Sequence, residues 1–268
     1  MLASDTMSDP LATTSAVLVT GAAGGLGAAL VDALMARGDA VVALDRVEIG
    51  PRAGARAYVV DLLDEAAVVR ALADAVADGV GIRHVVVIAG GALPDEKSCV
   101  DPAGLPLDVF RRSLDQNLVT AWITLRAALP HLRALTGDRS ITLTSSTDAL
   151  AAYGLPAYAA AKAGLLGLVR SLSGTLGADG IRINAVAPGD VPTERNVREW
   201  AHVSGWYDRL REASVLDRLG TPPDIAASYL ALIDLRHVTG QTIVVDGGQT
   251  IARPDAGARA GAASEEAP

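Results

Sequence analysis

The sequence predicts an α/β protein: a doubly wound, seven-stranded parallel sheet with helices on both faces. Three observations predict it. Seven short runs rich in Val and Ile are apolar almost without interruption, as strands buried on both faces are. Longer amphipathic runs lie between them, which makes βαβ units with right-handed crossovers. The 268 residues, half of them hydrophobic, suit one large α/β core.

Taken in order, residues 1–14 are polar and unpatterned and read as a tail. The first strand, 16–20, runs into Thr20-Gly21-Ala22-Ala23-Gly24-Gly25-Leu26-Gly27 and then a helix over 25–37. Strands follow at 40–44 and 57–60, with a helix at 64–77. The fourth strand, 84–89, leads through a loop to a long helix over 106–135. The fifth strand (140–144), a helix (155–176) and the sixth strand (182–186) come next. Helices at 197–212 and 222–235 precede the last strand at 242–245. Residues 252–268 are small and acidic with no apolar face, a second tail, so one domain spans 15–251.

Composition excludes several classes. A net charge of −8 does not suit holding phosphate backbones, so no nucleic acid is expected. No apolar run reaches the ~18–20 residues of a membrane span. The first residues carry acids where a secretion signal has a basic patch, so a cytoplasmic protein is expected. The single cysteine, Cys99, has no partner, and His84, His131, His202 and His237 lack ligand spacing, so no metal is expected. The only lysines are Lys97 and Lys162.

The glycine-rich turn sits between a strand and a helix. Glycines let the backbone approach a pyrophosphate, and the helix start offers free N–H groups and partial positive charge. The second strand ends at Asp45, 18 residues after Gly27. A carboxylate there accepts hydrogen bonds from both hydroxyls of an adenosine ribose and repels a 2′-phosphate. NAD(H) is therefore expected over NADP(H), with Arg46 next door softening the preference. The other reading of Asp45 is a solvated strand end. Asp61 and Leu62 close the third strand, where an adenine would lie; Asp61 serves equally as a helix N-cap.

Tyr158 and Lys162 are four residues apart in a helical stretch and share a face. A nearby ammonium favours the phenolate, and a phenol so tuned passes a proton to or from an alcohol or carbonyl oxygen.

With these motifs, residues 14–251 resemble the short-chain dehydrogenase/reductase family, whose fold is Rossmann-like. Thr20, Gly21, Gly25 and Gly27 match its TGxxxGxG loop, which also includes Leu26. Tyr158 and Lys162 match its YxxxK. Its serine, thirteen residues before the tyrosine, corresponds to Ser145, or to Ser146 if the loop carries a deletion. Its helix asparagine corresponds to Asn117. Its NNAG strand end appears as Val87-Ile88-Ala89-Gly90 without either asparagine, leaving the backbone of Ala89 and Gly90 beside the cofactor. The run from Asn184 to Pro188 and Gly189, with Val191 beyond, resembles the segment under the nicotinamide, and Thr193 the threonine on its carboxamide.

The resemblance implies hydride transfer between NAD(H) and a secondary alcohol or ketone. In it Tyr158 exchanges the proton, Ser145 holds the substrate oxygen, Lys162 lowers the tyrosine pKa, and Asn117 positions a water. Substrate residues would come from loop 91–106, with Asp95, Glu96 and Lys97, from Asp148 and Tyr153, and from a lid holding Trp200, His202, Trp206 and Tyr207. The tryptophans would wall a small-molecule substrate or anchor the lid. Asp148 would bind a substrate hydroxyl or amine, or cap a turn. The resemblance also implies a homotetramer, with a dimer next. The competing readings are a redox-neutral dehydratase, cyclase or isomerase on the same fold, and a dinucleotide-sensing protein without turnover.

Overall fold

The computed structural model describes residues 14–51, 54–151, 154–201 and 203–251. Seven parallel strands form one sheet in the order β3-β2-β1-β4-β5-β6-β7. They are β1 (Thr14–Thr20), β2 (Ala40–Asp45), β3 (Ala55–Val59), β4 (Val80–Val87), β5 (Arg139–Thr144), β6 (Ile181–Pro188) and β7 (Thr242–Val245). The order reverses between β1 and β4, whose last paired residues are Thr20 and Val87. A crevice opens at such a switch point, at the carboxyl ends of the strands.

The helices are α1 (Gly25–Ala36), α2 (Glu65–Ala77), α3 (Pro94–Lys97), α4 (Leu107–Leu114), α5 (Thr120–Arg133), α6 (Pro156–Ala178), α7 (Glu194–Trp200), α8 (Trp206–Ala213) and α9 (Pro222–Asp234). Alternate strand residues feed two cores. Leu18, Val42 and Ile82 pack with Leu72 of α2, Leu125 of α5 and Leu165 of α6. Val17, Val19 and Val41 pack on the other face with Leu30 and Leu34 of α1 and Ile225 and Tyr229 of α9. Helices thus cover both faces, as expected from strands apolar on both sides.

Three elements differ from the sequence pattern. The helix expected over 106–135 is α4 and α5 joined by a π-helical turn, Asp115–Val119. The helix expected over 197–212 is α7 and α8, interrupted at Gly205 with φ +66°. The fourth strand runs Val80–Val87, so Ile88 and Ala89 leave the ladder. Gly81, Arg83 and His84 hid its start from an apolar-run reading. No helix among the described residues is long and apolar enough to cross a membrane.

Candidate active site

The glycine turn is shaped by close backbone approach. Gly21 has φ +68°, and a Cβ on it would stand 2.8 Å from the Ala89 backbone. A Cβ on Gly27 would stand 2.0 Å from the Gly21 carbonyl oxygen. Helix α1 starts without a side-chain cap and with no acid in its first turn, so the N–H groups of Gly25, Leu26 and Gly27 face the crevice end unanswered by side chains. This N-terminus fits a pyrophosphate. Asp45 Oδ2 accepts the Ala23 N–H at 2.9 Å and Oδ1 the Val47 N–H at 3.2 Å. A carboxylate has about four acceptor sites, so capacity for two ribose hydroxyls remains. Arg46 beside it is exposed. Across the turn, Thr193 caps α7 and lies against Gly25, where a Cβ would meet its Cγ2 at 2.8 Å.

At the end of β3, Asp61 Oδ1 accepts the Leu63 N–H, whereas Asp64 is the N-cap of α2, accepting from Ala67 at 2.9 Å. The N-cap reading of Asp61 is therefore corrected; its exposed carboxylate forms a turn. Leu62 packs into the core that α2 covers. Val191 likewise packs into the second core. Pro188 ends β6, and Gly189 follows with its N–H on the Val245 carbonyl.

The strand end that lacks asparagines is held by other side chains. Thr20 Oγ1 accepts the N–H groups of Ile88 and Ala89 at 3.2 and 3.4 Å. Asn117 Oδ1 accepts the Gly91 N–H at 2.8 Å, and its Nδ2 donates to the Gly91 and Ser113 carbonyls at 3.1 and 2.9 Å. Gln116 donates to the Gly91 carbonyl at 2.8 Å. Arg195, from α7, donates to the carbonyls of Gly90 at 3.4 Å and Ala92 at 2.9 Å. The π-helical turn, a device frequent at functional sites, places Gln116 and Asn117 for this. Gly90 adopts φ +141°, and a Cβ there would stand 2.4 Å from Asn117 Oδ1 and 3.4 Å from Lys162 Nζ. Ala89 and Gly90 thus sit between the glycine turn and Lys162.

Tyr158 and Lys162 lie in the first two turns of α6. Lys162 Nζ is 5.5 Å from the Tyr158 ring centroid and donates to the Thr144 carbonyl at 2.8 Å. Burial pulls the ammonium down to about 8, although the Asp148 carboxylate raises it. Burial also pushes the Tyr158 phenol above its ordinary value, with Asp148 adding to that; a hydrogen bond from Ser146 and the Arg195 guanidinium act the other way. Burial is the largest influence on both groups and favours the neutral form of each.

The two candidate serines are placed differently. Ser145 Oγ donates to the Lys162 carbonyl at 2.9 Å and is buried. Ser146 Oγ donates to Asp148 Oδ2 at 2.7 Å and accepts the Asp148 N–H at 3.2 Å, and the same hydroxyl lies beside the Tyr158 phenol and acts to lower its pKa. Ser146 is extended (φ −160°, ψ 159°), so consecutive side chains point to opposite sides.

Two carboxylates border the phenol. Asp148, following Ser146, is raised by burial, and Asp190, following Gly189, is raised to about 6 by burial and by Asp148. The Tyr207 hydroxyl, within reach of the Asp190 charge, is buried without a hydrogen-bond partner. Trp200 and Trp206 stack on each other at 4.1 Å, with Lys97 5.3 Å over one and Arg209 5.8 Å over the other. They pin α7 to α8 and to the loop over 91–106, which favours the anchoring reading over a substrate wall. Lys97 also pairs with Glu199, and Glu199 with Arg195 at 2.7 Å. Tyr153 and His202 lie outside the described residues. The sequence does not mark Asp190 and Arg195 with any short motif, and it places Glu96 only in a loop expected on the substrate side.

The chain is similar to known proteins along most of its length. A family model described as Enoyl-(Acyl carrier protein) reductase matches residues 21–250. A probable galactose dehydrogenase of Rhizobium meliloti is 31% identical over 244 residues, covering 87% of this chain and 93% of that protein. An L-rhamnose 1-dehydrogenase (NAD(P)(+)) of Azotobacter vinelandii is 30% identical over 87% of this chain and 95% of its own. The crystal structure of a short-chain dehydrogenase/reductase family oxidoreductase from Burkholderia thailandensis superposes with a TM-score of 0.81 at 33% identity, covering 95% of this chain and 98% of that one. The seven-stranded order, the glycine turn at the switch point and this likeness along nearly the whole domain lead to one conclusion: the chain belongs to the short-chain dehydrogenase/reductase family of oxidoreductases.

Proposed function

We propose that the protein is an NAD(H)-dependent dehydrogenase interconverting a secondary alcohol and a ketone, with Tyr158 as the proton-transfer group. The observation that carries this reading is the Ser146–Tyr158–Lys162 cluster, on the far side of Gly90 from the glycine turn. A bound NAD(H), held at the glycine turn and by Asp45, would supply the hydride chemistry. Tyr158 gives its proton to, or takes one from, the substrate oxygen. Ser146 holds that oxygen. Lys162, hydrogen-bonded to Thr144, keeps a proton donor within the buried site. Asn117 fixes the Gly91 backbone beside it. Asp45 disfavours a 2′-phosphate, which supports NAD(H) over NADP(H).

Asp148, Asp190 and the unpartnered Tyr207 hydroxyl suit a substrate rich in hydroxyl groups. Carboxylates accept several hydroxyl hydrogens, and two relatives carry sugar dehydrogenase names. A homotetramer fits the 38% exposed Trp122 on α5.

Titrating NADH and NADPH separately, then screening sugars, polyols and simple ketones by nicotinamide absorbance, tests the reading. Tighter NADH and turnover of a polyol are expected. Tighter NADPH would overturn the cofactor assignment. Conversion of substrate without net absorbance change would overturn the redox one.

A further inference from the structure

We propose that Glu96 is a positioning residue for Tyr158, a role that rests on the reading of Tyr158 as the proton-transfer group. Helix α6 carries that tyrosine at its third position, and its start is poorly provided for. Its N-cap residue is Leu155, which has no side-chain acceptor, and Pro156 follows. The N–H groups of Ala157 and Tyr158 therefore need an acceptor from elsewhere. Glu96, about sixty residues earlier in the chain, supplies it. Its Oε1 accepts both N–H groups, at 2.8 Å from Ala157 and 2.9 Å from Tyr158.

The other oxygen continues the network. Glu96 Oε2 accepts the Ser113 hydroxyl at 3.1 Å. The Ser113 carbonyl accepts from Asn117 Nδ2, and Asn117 binds the Gly91 N–H. The backbone of Tyr158 is thus linked through one carboxylate to the π-helical turn and to the strand end that has lost the family asparagines. Glu96 is 2% exposed, Ser113 is fully buried and Asn117 is 1% exposed. Water does not compete for these bonds.

An ordinary helix cap is local and satisfies N–H groups only. This one comes from α3, and Lys97 beside it pairs with Glu199 of the lid. A carboxylate at this helix start also meets the partial positive charge there. Losing it frees the backbone of the residue whose phenol must meet the substrate oxygen within tenths of an ångström. Misplacement on that scale costs rate more than it costs binding.

The test compares Glu96→Ala, Glu96→Gln and Ser113→Ala with the wild-type full chain. It reads kcat and KM for the best alcohol substrate with NAD+, the NADH dissociation constant, and the thermal midpoint. Glu96→Ala should lower kcat about tenfold or more, with NADH affinity within about twofold. Glu96→Gln keeps a carbonyl acceptor for the two N–H groups and should recover most of that loss. Ser113→Ala leaves the two N–H bonds in place and frees Oε2, and should lower kcat by a few fold. If Glu96→Ala does not fold, a reduced kcat with unchanged NADH affinity in Ser113→Ala carries the proposal, and unchanged kcat there overturns it. A folded Glu96→Ala with wild-type kcat and a lower thermal midpoint would make the carboxylate a stabilising cap only. Tyr158→Phe, measured beside them, separates the two claims: if it turns over normally, the reading of Tyr158 fails whatever Glu96 does.

Discussion

The Ser145 hydroxyl donates to the Lys162 carbonyl at 2.9 Å, turning that side chain into α6 and away from the phenol. Ser146, on the opposite side of the extended backbone, donates to Asp148 Oδ2 and lies beside the Tyr158 phenol, whose pKa it acts to lower. Ser146→Ala should therefore lower kcat by roughly 100-fold, as loss of an oxyanion-type donor does. Ser145→Ala should change kcat by less than about fivefold and cost about 1 kcal/mol of stability, the worth of one buried hydrogen bond. Steady-state kinetics and urea unfolding of both variants check this. The reverse ranking of kcat would return the role to Ser145.

Asp190 predicts a pH signature. Burial and Asp148 raise its carboxyl to about 6, above the ordinary aspartate value of 3.8. Between about pH 4 and 6 the folded state holds this proton more tightly than the unfolded chain, so folding takes up a proton there. Stability from this group is then full below about pH 4, is lost as pH rises through about 6, and stays lost above. Asp190→Asn should be more stable than wild type at pH 7, by up to about 3 kcal/mol, with the gap closing near pH 4. Unfolding curves at the two pH values read it. A gap that is constant with pH would show that the Asp190 carboxyl titrates normally.

Asp45 sets the cofactor prediction. Its carboxylate is already fixed by the Ala23 and Val47 N–H groups, so its charge cannot swing away from a 2′-phosphate. Asp45→Asn keeps one acceptor for the Ala23 or Val47 N–H, turns the other position into a donor, and removes the charge. The NADPH to NADH affinity ratio should rise by roughly tenfold to a hundredfold, since like-charge juxtaposition costs several kcal/mol when desolvated. Fluorescence titration with each cofactor measures the ratio. An unchanged ratio would remove Asp45 from the specificity argument.

The architecture was readable in the sequence because doubly buried strands leave continuous apolar runs, and seven of them alternate with helical stretches. The glycine turn was readable because close backbone approach at Gly21 and Gly27 admits no side chain. What was hidden depended on register or on long-range contact. A one-residue shift decides between Ser145 and Ser146, and no motif spacing resolves a shift that small. The π-helical turn around Asn117 has the same apolar pattern as an unbroken helix. Arg195 and Glu96 act on backbone groups 105 and 61–62 residues away, and nothing local marks a side chain that does so. Tuning of Tyr158 also depended on burial, which a four-residue spacing does not report.

The central claim is that Tyr158 moves the proton in a nicotinamide-linked reaction. The measurement that tests it most directly is turnover of Tyr158→Phe, beside its NADH dissociation constant, on a substrate that the wild type oxidises. The phenyl ring fills the same volume and lacks only the hydroxyl. The account predicts NADH affinity within about twofold of wild type and a kcat lower by roughly 10²–10⁴-fold, the usual worth of general acid–base catalysis. Turnover at the wild-type rate would contradict it and assign the proton to another group.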